Sequence, residues 1–207
     1  MAGTVFASVS MSLDGYVAPG SAGELMGRQW MELQAWVFPT RTFRERLSMG
    51  AGGETGQDDD LVRATCERTG ANIMGRRMID AGEAMWPEEP PFRSPVFVLT
   101  HREREPWVRA GGTTFHFVTD GIESALDQAR EAADDLDVRV SGGAETIQQY
   151  LNAGLLDELT VSVSPVIFGA GVRLFDGVDS ERVAPEQVHA QTSPRTTHLT
   201  YAVSQRE

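Results

Sequence analysis

The chain is poor in the residues that several function classes require. It has one cysteine, Cys66, so no disulfide forms within it, and a reducing, cytoplasmic setting is the expectation. Positive charge is scarce: 18 basic against 30 acidic side chains leave a net charge of −12. A nucleic-acid-binding face needs clustered basic residues, so no nucleic-acid partner is expected. No apolar run approaches the roughly 18 residues of a membrane span, and the first residues lack a signal peptide's basic start and apolar core. One cysteine and four scattered histidines cannot build a zinc site of the deaminase type, so no metal is expected.

What remains is ordinary globular composition, 41% hydrophobic and 23% charged over 207 residues. A chain of this length buries a sizeable core as a single domain, residues 1–207. Strands are expected at Val5–Leu13, Ala71–Met74, Pro95–Thr100, Thr114–Val118, Val138–Val140 and Leu159–Val166. Helices are expected at Glu24–Phe38, Asp58–Thr69, Arg77–Met85, Ile122–Asp135 and Thr146–Ala153. Asp58, Asp59 and Asp60 suit a helix N-terminus better than a metal site. Asp120-Gly121-Ile122-Glu123 has the form of a capping box. Strands near Val188 and at Leu199–Val203 read as a C-terminal hairpin.

Alternating strands and helices predict an α/β sandwich with a mostly parallel sheet, helices on both faces and an antiparallel hairpin at one edge. In such sheets ligands bind beyond the carboxyl ends of the strands. Three strand exits carry suitable residues. Gly75, Arg76 and Arg77 offer close backbone approach and forked donors for phosphate. Thr100, His101 and Arg102 place a hydroxyl and a cation where a 2′-phosphate would need them. Ser141, Gly142, Gly143, Ala144, Glu145 and Thr146 join strand to helix through two glycines, which suits a pyrophosphate at a helix N-terminus. Taken alone, the first two exits read more readily as ordinary turns and the third reads either way; together they point to a phosphorylated dinucleotide. The Trp30, Trp36 and Phe38 segment reads either as a helix packed on the sheet or as a lid over a planar substrate.

The opening Val5-Phe6-Ala7-Ser8-Val9-Ser10-Met11-Ser12-Leu13-Asp14-Gly15-Tyr16, the Ser141-Gly142-Gly143-Ala144 turn, Gly154-Leu155-Leu156-Asp157-Glu158-Leu159 and Pro165-Val166-Ile167-Phe168-Gly169-Ala170-Gly171 stand in order along nearly the whole chain. As a set they resemble the riboflavin-biosynthesis reductase and dihydrofolate-reductase-like superfamily. The resemblance implies a three-layer dihydrofolate-reductase-like fold, a homodimer, and NADPH held at the three exits. It also implies that Asp14 lies beside nicotinamide and substrate, and that Glu158 is an acid near the substrate. Asp14 would relay a proton if burial raised its pKa; otherwise it is a turn residue. Tyr16 stands where the riboflavin enzyme commonly has a basic residue, no deaminase partner domain is expected, and the acid that grips a pterin has no clear counterpart. The expectation is therefore an NADPH-dependent reductase of a small heterocyclic or carbonyl compound. The alternatives are a reductase of the ribosylamino-pyrimidine precursor of riboflavin and a silent nucleotide-binding protein.

Overall fold

The computed structural model describes residues 3–21, 24–25 and 27–206. In chain order the strands are β1 (Val5–Ser12), β2 (Tyr16–Ala18), β3 (Thr69–Gly75), β4 (Val96–Leu99), β5 (Trp107–Val108), β6 (Thr114–Val118), β7 (Asp137–Gly142), β8 (Glu158–Ser164), β9 (Val172–Arg173), β10 (Val183–Thr192) and β11 (Thr197–Gln205). The helices are α1 (Arg28–Leu33), α2 (Arg41–Arg46), α3 (Gln57–Arg68), α4 (Arg76–Gly82), α5 (Gly121–Ala133) and α6 (Ala144–Asn152).

Nine strands form one sheet in the order β10-β11-β8-β1-β7-β3-β4-β6-β5. From β8 to β6 all neighbours run parallel, and antiparallel strands close both edges. The C-terminal hairpin is longer than its apolar pattern suggested, because β10 is an edge strand whose exposed residues carry little periodicity. Among the described residues no helix is long and apolar enough to cross a membrane.

Alternation along the strands sorts the core onto two faces. On one face Val5, Ala7, Val138, Val140, Leu159, Val161, Ala71 and Ile73 pack under α5 and α6, which contribute Leu126, Ala129, Ile147, Tyr150 and Leu151. The opposite face is apolar only toward one side, where Met74, Val96, Val98 and Phe115 meet Ile79 of α4. Elsewhere that face carries Ser10, Ser12, Asn72, Ser141, Ser162 and Ser164, all buried. The α1–α3 region covers it through polar contacts. Ser164 Oγ donates to the Leu33 carbonyl at 2.8 Å, Trp36 Nε1 donates to Ser10 Oγ at 2.9 Å, and Ser10 Oγ donates to Gln34 Oε1 at 2.8 Å.

The predicted helix over 24–38 is much shorter in the structure. Among the described residues of that span only Arg28–Leu33 is α-helical, and the chain continues in turns to Pro39. Of its apolar stripe, Leu33 is fully buried, Trp30 and Val37 are half-buried, and Met26 lies outside the described residues. The capping box also differs: Asp120 occupies the N-cap position of α5, but its side chain makes no capping hydrogen bond.

Candidate active site

The three predicted exits converge. At the end of β3, a Cβ on Gly75 would stand 2.6 Å from Thr146 Oγ1, so the strand exit and the first turn of α6 meet with no room for a side chain. Arg76 bridges two exits: its Nε donates to Asp80 Oδ1 at 2.7 Å and its Nη1 to Thr100 Oγ1 at 3.4 Å. Thr100 Oγ1 also accepts the Arg102 backbone N–H at 3.1 Å, which folds the loop after β4 back on itself. Arg77, His101 and Arg102 are exposed, and among the described residues neither Arg77 nor Arg102 pairs with an acid.

The third exit is built from backbone. Gly142 has φ +116°, a region that disfavours other residues, and the Gly142–Gly143 peptide is cis. Gly143 is the N-cap of α6, and a Cβ built on it meets nothing within 4 Å. Ala144 and Glu145, the first residues of the nine-residue α6, line the cavity, so this helix N-terminus borders it. Ser141 Oγ donates to Asn72 Oδ1 at 2.7 Å and ties this exit to β3.

All the residues predicted at the three exits line one cavity of about 1540 Å³. Thr119 and Gly121, at the end of β6, add a fourth exit that the sequence had suggested only as a helix cap. The same cavity continues over the polar face of the sheet. There its walls are Trp30, Trp36, Phe38 and Phe43, with Trp30–Phe38 and Phe38–Phe43 ring centroids 6.0 and 5.6 Å apart. Its floor includes Ser8, Ser10, Asn72 and Arg139. The Trp-rich segment is thus both cover and wall: Leu33 and Trp36 anchor it to the sheet, while Trp30 and Phe38 face the cavity.

Residues 3–199 match the RibD C-terminal domain. This chain belongs to that family. The fold agrees: a putative riboflavin biosynthesis protein from Shewanella sp. PV-4 superposes with a TM-score of 0.65 at 22% identity over 99% of each chain. A dihydrofolate reductase from Enterococcus faecalis, complexed with NADP(H), superposes with a TM-score of 0.54 at 12% identity, over 100% of this chain and 99% of that one. At such identities the likeness is one of fold. Over 76 residues the chain is 32% identical to the uncharacterized protein YyaP of Bacillus subtilis (strain 168), a stretch spanning 37% of this chain and 39% of that relative. The fold is therefore the dihydrofolate-reductase-like α/β sandwich expected from the sequence.

Of the two acids that the resemblance placed at the chemistry, Glu158 lies elsewhere and Asp14 sits at the cavity's edge, bonded through its carbonyl to the lining residue Arg173. Glu158 is the first residue of β8, at the end of the parallel strands opposite the glycine exits, and it does not line the cavity. Arg68 Nη1 binds it at 2.7 Å while Arg68 Nε binds Asp137 Oδ2 at 2.6 Å, a three-residue ion cluster that fastens α3 across β7 and β8. Asp14 follows β1 but is also not a lining residue. Ser12 Oγ donates to its Oδ1 at 2.6 Å, and the backbone N–H groups of Phe168 and Gly169 donate at 3.1 and 2.7 Å. These bonds, the Ser12 hydroxyl first, hold its pKa down to about 2 from an ordinary 3.8. The condition for a proton relay, a raised pKa, is reversed; Asp14 pins the turn after β8 to the turn after β1.

The residue that local patterns concealed is Arg139. In Val138-Arg139-Val140, alternation suggests a strand with one solvated face. That signal changes meaning once both faces of the sheet are covered: Ser8 and Ser10 of β1 and Arg139 and Ser141 of β7 then line an interior space.

Proposed function

We propose that this chain is an NADPH-dependent reductase that transfers hydride to a small heterocyclic or carbonyl substrate. One observation carries the reading: a single cavity joins the glycine-arginine exits to an aromatic chamber over the sheet. That is the arrangement needed to hold a dinucleotide by its phosphates and present its nicotinamide to a planar acceptor.

The residues fit such a cofactor. The open space at Gly143, faced by the first turn of α6, suits a pyrophosphate. Arg102 and Arg77, exposed at the cavity and unpaired with acids among the described residues, suit a 2′-phosphate. The cofactor when bound would supply the hydride. The protein's own part is to orient and to exclude water: Trp36, held by Ser10, fixes the inner wall, and Trp30, Phe38 and Phe43 make the chamber apolar. The family match supports the ribosylamino-pyrimidine precursor of riboflavin as one acceptor to test. A cytoplasmic homodimer belongs to the same proposal by family analogy.

Steady-state NADPH consumption against pyrimidines, pteridines and small carbonyl compounds tests the reading. Arg102→Ala should raise the KM for NADPH by about tenfold, the lower range for a hydrogen bond to a charged group because the site is open to solvent, and leave the KM for NADH unchanged. No consumption with any acceptor, or equal effects on both cofactors, contradicts it.

A further inference from the structure

Arg139 lies in the middle of β7 between Val138 and Val140, whose side chains are sealed in the main core. Its own side chain leaves the opposite face and reaches the cavity floor. Across the sheet its register partners are Phe6 on β1 and Asn72 on β3. Nη2 donates to the Ser8 carbonyl at 3.3 Å, a long contact, and Nε is buried with no partner. Asn72 is engaged elsewhere: its Nδ2 donates to Ser94 Oγ at 2.8 Å and its Oδ1 accepts from Ser141 Oγ.

Among the described residues no carboxylate pairs with Arg139. The ionisable groups that act on it are Cys66 and Arg46, and burial lowers its pKa from the ordinary value, with Arg46 adding to that effect. Arg46 cannot neutralise it, and its own N–H groups already serve the carbonyls of Pro91 and Phe92. This is not for want of acids, since the chain has 30 against 18 basic residues. Beside it, Arg68 lies over the Phe6 ring at 4.1 Å and is matched by both Asp137 and Glu158. The protein neutralises the one guanidinium and leaves its neighbour open to the cavity. A half-buried guanidinium with no countercharge is costly, and in a binding chamber the natural countercharge is the ligand.

We propose that Arg139 binds a planar oxyanion of the substrate, either a carboxylate or the ionised oxo edge of a heterocycle, while the substrate ring lies against Trp30, Phe38 and Phe43. The guanidinium fork matches two coplanar oxygens. This inference names the substrate class for the aromatic half of the cavity and rests on the reading of that half as the substrate chamber.

The test compares the full-length protein with Arg139→Met. The probes are three pyrimidines: orotate, with a ring carboxylate; barbiturate, with an ionised ring oxo group; and neutral uracil. Binding is read from tryptophan fluorescence and from protection of Cys66, the single thiol, which lines the same cavity. The wild type should bind at least one of the two anions about tenfold or more tighter than uracil, with matching protection of Cys66. Whichever anion is preferred identifies the kind of oxyanion. In Arg139→Met that preference should vanish while NADPH affinity is unchanged. Without ligand, the variant should unfold at a higher temperature than the wild type, since it no longer holds a half-buried charge without a countercharge. A wild type without anion preference, a variant that keeps it, or a variant that unfolds at a lower temperature overturns the proposal. NADPH titrated into the same samples separates the two readings. Anion preference without NADPH binding removes the reductase and leaves the role of Arg139 standing.

Discussion

Asp14 is an acceptor of three hydrogen bonds with its pKa depressed to about 2, and this fixes what its replacement should do. A carboxylate whose folded pKa lies below its ordinary 3.8 stabilises the fold fully above that value and loses the contribution as pH falls through about 2. Asp14→Asn turns an amide donor toward backbone N–H groups. It should therefore unfold at lower urea concentration than the wild type at neutral pH, with the gap narrowing only below the ordinary carboxylate pKa. NADPH affinity should be unchanged, because Asp14 does not line the cavity. A variant as stable as the wild type at neutral pH, or one that binds NADPH poorly, would return Asp14 to the active site. Adjacent Tyr16 is clamped in the same corner: Arg173 lies 4.4 Å over its ring, and Arg173 Nη1 donates to the Asp14 carbonyl at 3.0 Å. The Asp-Gly turn was legible from local sequence, but two of the three hydrogen bonds to its carboxylate come from more than 150 residues away in the chain. No local pattern could choose between a turn residue and a proton relay.

At the scale of elements, buried hydrogen bonds fasten the cover over the polar face. His198 on β11 is 2% exposed and spans three elements. Its Nδ1 is 2.8 Å from Ser162 Oγ on β8, and its Nε2 is 2.9 Å from Asp58 Oδ1 at the start of α3. The triple aspartate that marked a helix N-terminus is thus divided among different tasks: Asp58 meets His198, Asp59 Oδ1 accepts the Thr42 backbone N–H at 2.7 Å, and Asp60 pairs with Arg63. Removing His198 leaves a buried hydroxyl and a largely buried carboxylate without partners. His198→Ala should therefore cost about 2–4 kcal/mol in urea unfolding, the sum of two unsatisfied groups. A loss under about 0.5 kcal/mol, typical of a surface position, would show that the bridge does not hold α3 to the sheet. Elements with strong periodicity, such as α5 and α6, were readable because their own residues decide them, and α3 was readable from its acidic first turn. The short α1 and α2, and the two-residue β5 and β9, were not, because tertiary packing determines where such brief segments stop.

At the scale of the molecule, a sheet with one apolar and one polar face has the second face free for a chamber, and that division organises everything else. The exits carrying glycine and arginine were legible because strand ends and helix starts are local features. The chamber was not, since its polar floor comes from alternate residues of strands far apart in sequence and its walls from a segment whose stripe resembles core. The account stands on the claim that exits and chamber form one dinucleotide site. Three of the four tryptophans, Trp30, Trp36 and Trp86, line the cavity, so intrinsic fluorescence reports on it directly. The decisive measurement is a titration of the full-length protein with NADPH and, separately, NADH, following quenching of that fluorescence. Saturable quenching with clearly tighter binding of NADPH is the expected result. No response to either nucleotide, or equal affinity for both, would contradict the assignment of the arginine-bearing exits to a phosphorylated cofactor.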